Sequence, residues 1–196
     1  MKRSDVKYLY YIAPIENVPS ILAHGILCHN LAKKINHRSV AMEAIQERRK
    51  DKVIPGAGRL HDYANLYLNA RNPMMYKLKG KHKELCVLAV DPAILNEGGV
   101  IITDMNAAKD IARPYLVDEG LEHIDKDKLF AMYWTHEDEV EAARHRGLMC
   151  AEVLVPKQIA SNYIKGVFVS CKESEVALKI TCSALKIKVN ANLFFQ

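Results

Sequence analysis

The residues from His61 to Tyr76, HDYANLYLNARNPMMY, constrain this chain more than any other stretch. Leu66 and Leu68 alternate with Tyr67, the period of a strand with one buried face. Asn72-Pro73 then ends it. A strand that served packing alone would carry Val, Ile or Thr. His61, Tyr63, Tyr67 and Tyr76, with three Asn and Arg71, instead supply rings with polar tips and hydrogen-bonding groups. These suit a cleft that stacks a flat ligand and fixes its orientation. They also suit an ordinary strand with tyrosines at its edges.

The rest of the chain can build a core around such a strand. At 196 residues and 49% hydrophobic content, one domain is expected. Lys and Arg outnumber Asp and Glu by 28 to 23, a formal net charge of +5. That excess accommodates a nucleic-acid partner without requiring one. No run of about 18 apolar residues is present, so no membrane association is expected. The opening MKRSDVKYLYYIAP is aromatic and halted by Pro14, unlike a signal peptide. Cys28, Cys86, Cys150, Cys171 and Cys182 are scattered and form no CxxC pair. That pattern predicts reduced thiols, a cytoplasmic protein and no metal site.

Local patterns place the remaining elements. Tyr8–Ile12 reads as a strand, and Val18–His24 as a helix with Asn17 as cap and Gly25 at its end. Ser39–Lys50 reads as a helix capped by Ser39. Its adjacent Arg48 and Arg49 point about 100° apart and do not share one role. An arginine there either clamps a diphosphate or complements the helix dipole. Residues 52–60 form a loop, and the basic run Lys77–Lys83 a hairpin or loop tip. Leu85–Val90 and Val100–Thr103 read as strands, and Ala107–Ala112 as a short helix. Residues 104–150 read as a mostly helical excursion anchored by LFAMYW, with a helix at Thr135–Arg146 capped by Thr135. Glu152 sits in the apolar strand AEVLVP, so it is either exposed or at a cleft. A strand (Ile164–Ser170), a helix (Glu173–Ala184) and a last strand (Leu185–Leu193) complete the scaffold.

The central stretch resembles the signature of the DarT family, toxins that ADP-ribosylate DNA bases using NAD. ENVPSIL, IQERR and AEVLVP match in the same order and extend the resemblance over most of the chain. It implies an α+β fold of the ADP-ribosyltransferase type, a mostly antiparallel split sheet flanked by helices. Residues 34–51 would close over NAD, and residues 104–152 would recognise the substrate. By the same resemblance Glu152 and Arg49 are catalytic. Tyr11, Ile12, Ala13, Ser20, Arg49 and Tyr67 would bind NAD. The family usually carries His or Thr where this chain has Tyr11, Ile12 and Ala13; backbone groups there can still hold a carboxamide, and Tyr11 either stacks on the ring or belongs to the core. Arg146, six residues before Glu152, corresponds to an arginine at the DNA base, and Asn106 stands where His is common. Arg144, Tyr133 and Arg71 are further candidates for single-stranded DNA, through phosphate contacts and base stacking. Helix-dipole complementation and core anchoring are the alternatives for Arg144 and Tyr133.

The implied activity is transfer of ADP-ribose from NAD to a base in single-stranded DNA, with nicotinamide released. The signature is nearer to the family's thymine branch than to its guanine branch. A DarG-like antitoxin that removes the mark or binds the enzyme would be the partner. The alternatives are an ADP-ribosyltransferase acting on RNA or protein, and a non-catalytic nucleic-acid-binding module.

Overall fold

The computed structural model describes residues 1–182 and 185–196. Eight strands form one sheet: Leu9–Pro14 (β1), Tyr63–Tyr67 (β2), Leu85–Val90 (β3), Ile101–Thr103 (β4), Pro114–Leu116 (β5), Glu152–Pro156 (β6), Ile164–Val169 (β7) and Ile187–Val189 (β8). Their order is β8-β7-β3-β1-β2-β6-β4-β5. The β7–β8 pair is parallel and the others are antiparallel. The helices are Val18–His24 (α1), His29–Ala32 (α2), Glu43–Lys50 (α3), Pro73–Leu78 (α4), Val117–His123 (α5), Lys126–Leu129 (α6), Glu139–Leu148 (α7) and Lys172–Thr181 (α8).

The sheet is split. β1 and β2 meet at a single register pair, Tyr10 with Tyr67. β1 pairs with β3 along its whole length, and β2 pairs with β6 along its whole length. Beyond Tyr10 the backbone of β1 facing β2 therefore has no ladder partner, and a cleft opens between the two halves. Strand alternation divides the side chains. Leu9, Ala13, Leu66, Leu88, Val153 and Val155 enter the large core, where α1 packs through Val18 and Ile21. Ile12, Tyr67 and Val87 face the opposite side, with Met75 of α4 and Phe194. β3 is buried at every position, as expected of a strand covered on both faces.

Several local expectations change. Asn17 does not cap α1; its amide donates to the Arg38 carbonyl and its oxygen accepts from the Arg38 N–H. Ser39 does not cap α3, which begins at Glu43 after Met42. Residues 52–60 contain a small hairpin, Val53–Ile54 with Gly58–Arg59. Lys77–Lys83 is not a hairpin but the end of α4 and a following 3-10 turn. The reason lies in Asn72-Pro73, which does not end the strand, since β2 already stops at Tyr67, but starts a helix: the Asn72 side chain accepts from the Met75 N–H. No helix forms at residues 107–112, because Asn106 Oδ1 accepts from the Ala108 N–H and sets a turn. Asp138, rather than Thr135, caps α7. The chain end holds a short strand and a 3-10 turn at Ala191–Phe194. The expected helix end at Ser183 and Ala184 lies outside the described residues.

Among the described residues all five cysteines are free thiols. No helix there is long and apolar enough to cross a membrane. Among the described residues no group of three or more His, Cys, Asp or Glu is arranged to hold a metal ion.

Candidate active site

The cleft at the split is a cavity of about 510 Å³, within the range that holds small ligands. Ile12 and Pro14 of β1 and Tyr63, Asn65 and Tyr67 of β2 border it on the sheet side. Residues 37–42 and α3 cover it, and α4 and α7 close its sides. Among the described residues its walls carry six cationic side chains, Arg38, Arg48, Arg49, Lys77, Lys109 and Arg146, and no Asp or Glu. Such a wall selects for an anionic ligand.

One carboxylate lies directly beneath the wall. Glu152 opens β6, paired in register with Tyr67 on one side and Thr103 on the other. It is fully buried. Arg49, in the last turn of α3, is 6% exposed and donates through Nη1 to both carboxylate oxygens, at 3.1 and 3.0 Å. A buried carboxylate without such a partner would be strongly disfavoured, so the pair satisfies both charges at once. Arg48, one residue earlier and about 100° round the helix, is exposed yet also borders the cavity. Tyr67 donates to Met74 Sδ at 2.9 Å. Burial, reinforced by Glu152, pushes its hydroxyl well above the usual tyrosine range, so it stays protonated. Cys150 also borders the cavity, and burial pushes its thiol up to about 12.

The cover is pinned. Besides the two Asn17 bonds, Arg38 pairs with Glu16 at 3.3 Å and Glu84 at 2.6 Å. At the Tyr63 end, His29 and His61 stack at 4.1 Å, 25° apart. Burial, the neighbouring imidazole and Arg49 hold His61 below its usual value. Burial likewise lowers His29, with Lys33 and His37 adding to the effect.

The expected site residues divide. Arg49, Tyr67, Ile12, Tyr11, Asn106 and Arg146 border the cavity. Tyr11 does so from β1, and its partly buried ring also packs against the large core. Ala13 is turned into that same core, and Ser20 lies on α1 away from the cavity. Arg144 is exposed outside the cavity, two residues and about 200° from Arg146 on α7. Tyr133 is 75% exposed, so core anchoring does not describe it. Arg71 is committed within the protein: it donates to the carbonyls of Asn192 and Met132 and lies 4.0 Å from the Phe195 ring centre. Asn17, Arg38, Lys77, Lys109 and His29 were not among the sequence candidates. Each sits in a stretch whose local pattern says only helix, loop or exposed charge.

Comparison with known proteins places these features in context. The family model described as ssDNA thymidine ADP-ribosyltransferase, DarT, matches residues 10–195. The DNA ADP-ribosyl transferase–DNA ADP-ribosyl glycohydrolase fusion protein of Thermosipho africanus (strain H17ap60334) is 38% identical over 178 residues. That match covers 87% of this chain and 44% of the relative, so the chain spans less than half of the fusion. The DNA ADP-ribosyl transferase of Thermus sp. (strain 2.9) is 30% identical over 185 residues, 88% of this chain and 86% of that one. The solved structure of Thermus sp. 2.9 DarT in complex with ADP-ribosylated ssDNA superposes with a TM-score of 0.85 at 25% identity, covering 99% of both chains. With the split sheet, the cationic cleft and the Arg49–Glu152 pair at its floor, the chain belongs to the DarT family of ADP-ribosyltransferases.

Proposed function

We propose that this chain is an NAD-dependent mono-ADP-ribosyltransferase that modifies a thymine base in single-stranded DNA, acting as one domain. The observation that carries this reading is the buried Arg49–Glu152 pair at a cavity whose walls, among the described residues, carry five further cations and no carboxylate. The lining fits a dinucleotide. A diphosphate finds guanidinium and ammonium donors, and the unpaired edge of β1 at residues 11–13 offers backbone groups to a carboxamide. The Thermus sp. 2.9 DarT has been solved in complex with NAD+ and with ADP-ribosylated ssDNA.

NAD supplies an activated sugar carbon whose leaving group departs neutral, so no side chain needs to protonate it. The chain supplies charge and position. Glu152 places negative charge where the sugar becomes positive. Because the carboxylate is sealed under Arg49, the guanidinium must move off it, toward the phosphates, before Glu152 meets the sugar. A thymine ring nitrogen that attacks must lose its proton, and Glu152 is the acceptor. Arg49 stays protonated throughout. Arg146 and Asn106, on the α7 side of the cavity, face the acceptor base. An unstacked base reaches such a site at least cost from a single strand.

The biological reading follows the Thermosipho fusion, in which a transferase is joined to a glycohydrolase. This chain acts as a toxin in a cytoplasmic toxin–antitoxin pair, countered by a DarG-like partner. Incubation with NAD labelled in its ADP-ribose half, and oligonucleotides with and without thymine, tests the activity. Label on thymine-containing single strands alone is the expected result. Label on RNA or protein and never on DNA would overturn it.

A further inference from the structure

The basic run Lys77–Lys83 and the signature's last tyrosine have no part in the cavity chemistry beyond Lys77. They adjoin an unusual surface. Phe130, Met132 and Tyr133 are 45%, 50% and 75% exposed, and Tyr76 is 43% exposed. Apolar side chains clustered this way mark a contact surface. Of these rings Tyr76 is held in place. Tyr76, Trp134 and Phe195 meet edge-to-face in all three pairings, with centroids 5.1–5.8 Å apart. Phe195 adopts φ 61°, a left-handed conformation uncommon for a bulky residue. Arg71 fastens the loop at Met132 to the chain end at Asn192.

Cations flank the rings. Lys79 Nζ lies 4.0 Å from the Tyr76 ring centre. Lys77, Lys79 and Lys81 are exposed, and none has a carboxylate within salt-bridge distance among the described residues. Lys83, by contrast, pairs with Glu173. The surface is continuous with the cavity, because α4 gives Pro73, Met74 and Lys77 to the cavity wall and Tyr76 to the aromatic cluster.

We propose that this face, from Lys77 across Tyr76 and Tyr133 to Lys81, carries the nucleotides that flank the target base. Ammonium groups without carboxylate partners beside exposed rings match alternating phosphates and bases. They match an acidic peptide less well, since a peptide gains little from ring faces. The proposal rests on the DNA-modifying reading and assigns the strand's path outside the cavity. Arg71 is then a positioning residue for this surface.

Fluorescence anisotropy with single-stranded oligonucleotides of increasing length tests it, beside transfer assays. The Lys79→Ala/Lys81→Ala protein should keep its transfer rate on a minimal oligonucleotide and lose the gain that longer ones give. Its salt dependence, log K against log salt, should flatten by about 1.4, about 0.7 per lost phosphate contact. Tyr133→Ala should weaken binding of the longer strands about tenfold. Unchanged affinity and salt slope in both variants, while the parent protein modifies DNA, would overturn the track and leave the activity standing. Tighter binding of an acidic peptide than of DNA, displaced by the lysine substitutions, would overturn it too. Failure of the parent protein to modify any DNA is the separate failure of the functional reading.

Discussion

A single nitrogen of Arg49 serves both carboxylate oxygens of Glu152, joining residues 103 positions apart in the chain at the floor of the cleft. Each charge is nearly sealed from water, so each depends on the other. This changes what a substitution at Glu152 does. On sequence grounds Glu152→Ala would remove chemistry and leave the fold alone. In the structure it leaves the guanidinium without its counter-charge, at a cost of about 3–5 kcal/mol. Glu152→Gln keeps the shape and the hydrogen-bonding oxygen, and should lower transfer by about a hundredfold or more with a smaller loss of stability. Denaturation midpoints of the three proteins, beside label transfer to an oligonucleotide, check both statements. An Ala variant as stable as the parent would show that the pair does not support the fold.

Asn17 holds the cover of the cleft through two bonds to the Arg38 backbone. Asn17→Ala should loosen residues 37–42, which border the cavity. The expected effect is a KM for NAD raised about five- to tenfold with kcat changed less, consistent with about 1–1.5 kcal/mol lost with the bonds. Steady-state kinetics at saturating oligonucleotide separate the two parameters. A fall in kcat alone would count against a role in closing the site.

His29 and His61 are stacked and both titrate below the ordinary histidine value. In the unfolded chain each takes up a proton near pH 6.5, earlier than in the folded protein. Their contribution is therefore intact above that pH and declines as the pH falls toward the lowered folded values. Urea midpoints measured from pH 7.5 down to 5 should show this decline, and His61→Gln should flatten it. The same slope in both proteins would place the sensitivity elsewhere.

Gly25 ends α1 with φ 80°, and a Cβ there would lie 2.3 Å from the Ile159 carbonyl oxygen. Gly25→Ala combines backbone strain with a backbone clash and should destabilise by more than about 1 kcal/mol. Because α1 lies on the far face of the sheet, transfer by the folded protein should keep its rate. Thermal denaturation with activity measured well below the transition distinguishes the two effects.

The chain's own pattern determined much of this protein. The alternation around Leu66 and Tyr67 specified β2, and the unbroken apolar run LCVLAV specified β3, because a buried strand needs little beyond its own side chains to be recognised. The end of α1 followed from Gly25 in the same local way. The family resemblance, carried by four short motifs, pointed to Arg49 and Glu152. What residue patterns did not contain was decided by contacts distant in sequence. Glu152 in AEVLVP reads first as an exposed residue and second as a cleft residue, and only the register of β6 between β2 and β4, with α3 above, buries it on Arg49. Arg71 reads from its residue type as a ligand contact, and only the fold brings the Met132 and Asn192 carbonyls within reach of its Nη1 and Nε. Asn17 carried a cap signal, yet Arg38 outcompeted the helix end for its amide. Local propensity settles which element forms. Which of two available partners a polar side chain takes depends on which one the folded chain brings within hydrogen-bond reach.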